Sequence, residues 1–178
     1  MRRLAAIATL CAALAAPAAA QELRIGMQSE ATSVDPHFYN FGPNNSLSWH
    51  IFNGLVLFDK DDNMIPGLAE SWKALDDKTW EIKLRKGVTF HDGSPFTADD
   101  VVFTFTRAKQ VPRSPNPFTT YIGARTVEKV DDHTVLFRSP IADPLLINNL
   151  PPVQIVSKKH GEGATTEDYN SGKVAFGT

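Results

Sequence analysis

Apolar and polar residues alternate in several short stretches of the chain, which is the pattern of a strand with one buried face. The clearest stretch is residues 79–85, where Trp80, Ile82 and Leu84 alternate with charged residues. Residues 126–138 alternate around a polar turn and predict a β-hairpin. The inward residues expected for this hairpin are Val127, Val130, Val135 and Phe137. Further strands are predicted at Leu23–Met27, Leu55–Phe58, Val88–His91 and Gln154–Val156.

Apolar residues spaced three and four apart predict helices elsewhere in the chain. The longest is expected to begin at Thr97, whose hydroxyl can cap free backbone N–H groups, and to run to about Lys109 before Pro112 stops it. Shorter helices are predicted at Ser46–Asn53 and Leu145–Leu150. Strands, short helices and long loops interleave without a regular alternation. The predicted fold class is therefore mixed α and β.

The first 20 residues have the pattern of a secretory signal peptide. Arg2 and Arg3 precede the apolar run Leu4–Ala16, which is followed by Pro17 and three alanines. A membrane anchor is the alternative, but this run is too short to cross about 30 Å of hydrocarbon. We expect cleavage after Ala20 and a secreted mature chain of residues 21–178.

Composition and cysteine content narrow the function classes. The chain is 42% hydrophobic and 21% charged, as expected of a globular domain, and its net charge of -2 predicts no nucleic-acid partner. The only cysteine, Cys11, lies in the predicted signal peptide without the small preceding residue that a lipoprotein needs. We therefore expect no lipid anchor, no disulfide and no thiolate-bound zinc in the mature chain.

Signatures of catalysis are missing from the sequence. Neither Gly-x-Ser-x-Gly nor Ser-x-x-Lys occurs, and the five histidines are too scattered to preset a metal site. The sequence predicts no catalytic residue, no metal and no cofactor. Aromatic residues in or beside loops could instead line a binding cleft; they are Tyr39, Phe41, Trp49 and Tyr121. The residues alone therefore favour binding over catalysis.

Residues 66–72, 77–93 and 96–103 resemble the family 5 extracellular solute-binding proteins, which are the peptide- and nickel-binding components of ABC importers. The resemblance extends upstream through residues 33–37 and downstream to residue 178. It implies a periplasmic-binding-protein-like type II fold with two lobes, in which residues 21–178 are part of the N-terminal lobe. Family members are considerably longer than this chain.

The resemblance implies a receptor that captures peptides or a similar small solute and delivers them to ABC permease subunits in the inner membrane. The full-length protein is expected to be a monomer. Its ligand stays open between a dipeptide, a longer peptide, glutathione, an opine, a sugar and a chelated metal. Two alternatives remain, a truncated fragment without a function of its own and a secreted enzyme or inhibitor built on the same fold segment.

The resemblance also implies candidate ligand contacts. In oligopeptide-binding relatives the loop before the Asp-Pro-His motif lines the cleft, and here this loop holds Glu30, Ala31, Thr32 and Ser33. Glu30 could pair with a ligand ammonium group or be a solvated loop carboxylate. Tyr121 is expected either to reach the cleft or to pack under the proline-rich arm that follows the long helix.

Overall fold

The computed structural model describes residues 24–178, so the predicted signal peptide lies outside the described residues. Helices and strands are interleaved, which confirms the mixed α and β class. In chain order the elements are α1 (Gly42–Ser48), β1 (Val56–Phe58), β2 (Met64–Pro66), β3 (Ala69–Ala74), β4 (Thr79–Leu84), α2 (Ala98–Arg107), α3 (Thr119–Ile122), β5 (Thr126–Asp131), β6 (Thr134–Arg138), α4 (Lys158–Gly161) and α5 (Thr166–Asn170).

The main sheet has four antiparallel strands in the order β3-β4-β6-β5. Ile82 on β4 lies opposite Trp72 on β3 and Val135 on β6, so the alternation predicted for β4 builds the centre of the core. The predicted hairpin is confirmed as β5 and β6. One inward residue is wrong, because Val130 is 56% exposed. The register of β5 against β6 shifts between Lys129 and Asp131, so Val130 is an extra residue in β5 and its side chain faces outward.

Helix α2 covers one face of this sheet. Phe105 packs edge-on against Phe137 of β6, with ring centroids 4.8 Å apart. The Thr97 N–H donates to Asp100 Oδ2 at 2.9 Å, and the other oxygen of Asp100 accepts from the Lys158 N–H at 2.8 Å. The predicted long helix is therefore confirmed, and its first turn also fixes the start of α4.

Several predicted elements differ from the structure. Residues 24–27 form no strand, and their apolar residues Ile25 and Met27 are exposed rather than packed into the core. The first helix spans Gly42–Ser48 rather than Ser46–Asn53, since Pro43 lies in its first turn, where a missing N–H is tolerated.

Three other predicted elements are shorter than expected. The segments Val88–His91 and Gln154–Val156 contribute only the isolated bridges Thr89 to Pro95 and Gly54 to Gln154. The predicted helix Leu145–Leu150 reduces to a 3-10 turn at Ile147–Asn149. Individual apolar residues of these segments, such as Phe90, Ile147 and Ile155, are buried in the core without belonging to a regular strand or α-helix. No helix within residues 24–178 is long and apolar enough to cross a membrane.

Candidate functional site

A cavity of about 840 Å³ opens between the second half of α2, the segment that follows it and residues 161–170. We call this cavity the cleft. Its walls combine aromatic side chains such as Phe38 and Phe103 with polar ones from both sides. The volume is within the range of about 300–1,000 Å³ found for small-molecule sites.

An ion pair fixes one wall of the cleft. Arg107, the last residue of α2, donates from Nη1 to Asp35 Oδ1 at 2.9 Å and from Nη2 to Asp35 Oδ2 at 2.7 Å. The Asp35 side chain is fully buried and that of Arg107 is 10% exposed. Such a two-bond pairing is directional, so it ties the Asp-Pro-His segment to the end of the helix.

His37 extends this ion pair into a buried network. Its Nε2 donates to the Gln154 carbonyl at 2.8 Å, and its Nδ1 accepts from Arg107 at 2.9 Å, which is the pattern of a neutral imidazole. Burial and the neighbouring guanidinium lower the pKa of His37 to about 4. Burial raises the pKa of Asp35, but hydrogen bonding and charge from Arg107 outweigh it and leave this pKa below its ordinary value.

The lowered pKa of His37 predicts a pH-dependent stability. The unfolded chain protonates His37 near its ordinary value of 6.5, whereas the folded chain resists protonation until about pH 4. The unfolded state therefore binds more protons in this window, and we expect the free energy of unfolding to fall as the pH drops from 6.5 to 4. The limiting slope is about 1.4 kcal/mol per pH unit, measurable by urea unfolding at several pH values.

The His37→Gln variant is expected to flatten this slope, while His50→Gln, at an exposed position, serves as its matched control. The stability that Asp35 contributes is present above its ordinary pKa of 3.8 and is lost only below it, so the two groups act in different windows. An unchanged slope in the His37 variant would contradict this assignment.

The loop proposed to meet a ligand is anchored at one end. The Ser33 hydroxyl and the Val34 N–H both donate to Asn170 Oδ1, at 2.9 and 2.8 Å. The Thr32 N–H donates to Asn44 Oδ1 at 2.7 Å. Ser33 is buried, whereas Glu30, Ala31 and Thr32 are exposed. The Ser33 anchor matters for the site because Asn170 lines the cleft.

Tyr121 lies elsewhere, on the short helix α3. Its half-buried ring is 6.2 Å from that of Phe118 and packs against the main core. Phe118 in turn meets His37, with ring centroids 6.0 Å apart. Neither Tyr121 nor residues 30–33 are among the cleft's lining residues. Their role as ligand contacts stays a prediction.

The sequence reasoning missed the polar residues that do line the cleft. They include Arg107, Gln110, Arg113, Thr166 and Asn170. The one available signal for the cleft was the Asp-Pro-His motif at residues 35–37. If the Asp35 carboxylate is buried, it needs a cation as its partner. No spacing rule could have identified Arg107 as this cation, because it lies 72 residues after Asp35 along the chain.

A family model provides the comparison that decides membership. Residues 63–177 match the bacterial extracellular solute-binding proteins, family 5 Middle. The chain belongs to this family. The match contains the four-stranded sheet, with its hairpin, and α2, together with most of the cleft wall. The resemblance seen in the sequence is therefore confirmed.

This chain is similar to three named relatives, two in sequence and one in structure. The periplasmic oligopeptide-binding protein OppA of Escherichia coli K12 is 35% identical over 65% of this chain. The glutathione-binding protein GsiB of Pectobacterium atrosepticum is 33% identical over 84% of it. The crystal structure of Haemophilus influenzae OppA in complex with RPPGFSPFR matches 84% of the chain with a TM-score of 0.73 and 26% identity.

These relatives are much longer than the chain. The chain spans 21% of the E. coli protein, 29% of the Pectobacterium protein and 33% of the Haemophilus structure. The named relatives are binding proteins. The likeness to the solved structure confirms the expected periplasmic-binding-protein-like fold for this portion.

Proposed function

We propose that the chain is part of the solute-capturing component of an ABC importer and that its ligand is a peptide. One observation carries the proposal: most of the chain shares its fold with a family 5 protein whose solved structure contains a bound peptide. The oligopeptide-binding relative supports the same ligand class. The alternative of a secreted enzyme has no comparable support among the relatives named above.

The geometry of the described residues supports capture of an extended ligand. The loop at residues 30–33 is exposed at Glu30 and Ala31 but anchored at Ser33, so its free main-chain groups are held in place. An anchored segment with free main-chain groups can bond a peptide backbone in the manner of strand addition. In this proposal Glu30 pairs with a ligand ammonium group, Thr32 and Ser33 position the main chain, and Tyr121 borders the ligand.

The wider cellular role belongs to the same proposal. A cleaved signal at residues 1–20 would deliver the protein to the periplasm without a lipid anchor. Residues 21–178 would then form part of the N-terminal lobe of a two-lobed monomer that hands its ligand to ABC permease subunits. In this role the chain is a non-catalytic receptor that needs no metal, cofactor or nucleic acid.

Calorimetric titration with a pool of di- to hexapeptides tests the function, together with thermal unfolding of the same sample. We expect a cooperative transition and weak but saturable heat, because one wall of a cleft only partly desolvates its ligand. A monosaccharide pool is the control and should give no saturable heat. A folded sample that binds no peptide would contradict the proposal and favour a fragment without a function of its own.

A further inference from the structure

Two asparagine side chains accept main-chain hydrogen bonds from the loop at residues 30–34. The Thr32 N–H donates to Asn44 Oδ1 at 2.7 Å, and the Val34 N–H donates to Asn170 Oδ1 at 2.8 Å. The asparagines belong to different helices, α1 and α5. Two alternate N–H groups of the loop are therefore fixed by helices that lie outside it.

The N–H groups between and beside these anchors are free. Those of Ala31 and Ser33 donate to no partner within residues 24–178, and no described residue donates to the carbonyl oxygens of residues 30–33. The bonded and free N–H groups therefore alternate along the loop. A backbone held in this way presents its free groups in one fixed arrangement, which favours main-chain recognition of a peptide.

The position of Asn170 is set by the packing of α5. Its neighbour Tyr169 is fully buried, and the Arg107 guanidinium lies over the ring of that tyrosine, 4.3 Å from the centroid. At the other end of α5, the Thr166 hydroxyl donates to Asp35 Oδ2 at 2.9 Å. Asn170 is therefore held in place by contacts that do not involve residues 30–34.

The other anchor, Asn44, is buried within α1 and is only 3% exposed. Its Nδ2 donates to Thr32 Oγ1 at 3.3 Å, so both ends of its amide bond the same loop residue. Asn44 does not line the cleft, whereas Asn170 does. A ligand in the cleft can therefore touch Asn170 but not Asn44.

We propose that Asn44 and Asn170 are positioning residues for peptide binding, an inference that rests on the proposed function. Their Oδ1 atoms hold two N–H groups of the loop, and this keeps the free main-chain groups of residues 30–33 in the arrangement that the peptide meets. Without these acceptors the ligand has to order the loop as it binds. The affinity then falls, because fixing the backbone of each residue costs conformational entropy.

Variants of Asn170 that differ in the acceptor test the inference. Asn170→Leu keeps the approximate size of the side chain but removes Oδ1, whereas Asn170→Asp keeps an acceptor oxygen and removes the amide nitrogen. Trialanine is titrated into the chain, and binding is followed by the ¹H and ¹⁵N chemical shifts of its amides. We expect Asn170→Leu to bind about tenfold more weakly and Asn170→Asp to bind within about twofold of the unchanged chain.

Asn44→Leu separates positioning from direct contact with the ligand. Because Asn44 does not line the cleft, a weaker affinity in this variant acts through the loop, and we expect a similar loss of about tenfold. Asn148→Leu is the matched control. The Asn148 side chain is exposed, lies outside the cleft lining and has no hydrogen-bond partner among residues 24–178, so this variant should keep its affinity.

Amide hydrogen exchange of the unliganded chain gives a readout that needs no peptide. In Asn170→Leu we expect the Val34 amide to exchange about tenfold faster, while the Ile82 amide in the central strand β4 changes by less than about threefold. The Thr32 amide should respond in the same way to Asn44→Leu. If that buried substitution also removes the protection of Ile82, the chain has lost its fold, and the two variants of the exposed Asn170 decide the matter.

The outcomes separate this inference from the function on which it rests. If trialanine binds the unchanged chain and Asn170→Leu equally, the positioning role is overturned while peptide binding stands. Equal losses in Asn170→Leu and Asn170→Asp would assign Asn170 a direct contact through its amide nitrogen and would also overturn the role. If the folded, unchanged chain binds neither trialanine nor the peptide pool, the proposed function fails and the inference fails with it.

Discussion

Replacing Arg107 with methionine is expected to lower the free energy of unfolding by about 3–5 kcal/mol. The substitution keeps most of the apolar stem but leaves the Asp35 carboxylate, which is fully buried, without its cation. The remaining partners of that carboxylate, such as the Thr166 hydroxyl, are neutral and only partly compensate. Urea unfolding at pH 7, followed by circular dichroism, measures the change.

Two further variants identify the cause of this loss. Arg138→Met breaks an ion pair to Glu128 in which both side chains are about half exposed, and it should change the stability by less than about 1 kcal/mol. The double variant Asp35→Leu with Arg107→Met removes both charges and should recover much of the stability. Equal losses for Arg107→Met and the double variant would mean that packing, not an unpaired carboxylate, dominates.

The Tyr169→Ala variant is expected to lose about 3–5 kcal/mol of stability, similar to other buried aromatic truncations. Tyr169 is fully buried in a small cluster with Phe52, Val156 and Val174. The Arg107 guanidinium also lies over its ring, 4.3 Å from the centroid. The truncation therefore removes both apolar packing and the surface on which Arg107 is stacked.

The Tyr169→Phe variant should behave in the opposite way. The hydroxyl of Tyr169 is buried and has no hydrogen-bond partner within the described residues, and burial raises its pKa to about 12. Removing it should leave the stability unchanged or raise it by about 1 kcal/mol, since an unpaired buried hydroxyl is unfavourable. A loss of 1 kcal/mol or more in urea unfolding would show that this hydroxyl is bonded in solution.

The elements with a strong local pattern could be predicted from the sequence. Strand β4 alternates without interruption, and α2 combines an apolar stripe with acidic residues at its start, so local pattern and packing agree. Residues 24–27 alternate just as regularly but form no strand. Alternation predicts a strand only where a second strand completes the hydrogen bonding, and that information is not local.

The candidate site was predictable only in part. The family resemblance led to residues 30–33 and Tyr121 as candidate ligand contacts. It did not reveal the cleft, because the wall of the cleft joins segments that are far apart along the chain. Gln110 and Arg113 lie in an irregular proline-rich segment, where periodicity carries no signal. Their position beside Thr166 and Asn170 depends on how α5 packs near the end of α2, which only the folded chain shows.

The central claim is that the cleft is where the chain meets a peptide, and amide chemical shifts of the labelled chain during titration with trialanine test it most directly. We predict saturable shifts concentrated in residues 106–113 and 161–170, with smaller changes in residues 30–33. A second, smaller cavity beside the exposed Trp49 and Phe58 serves as an internal reference and should show no saturable change. Saturable shifts confined to that cavity, or none anywhere in a folded chain, would contradict the claim.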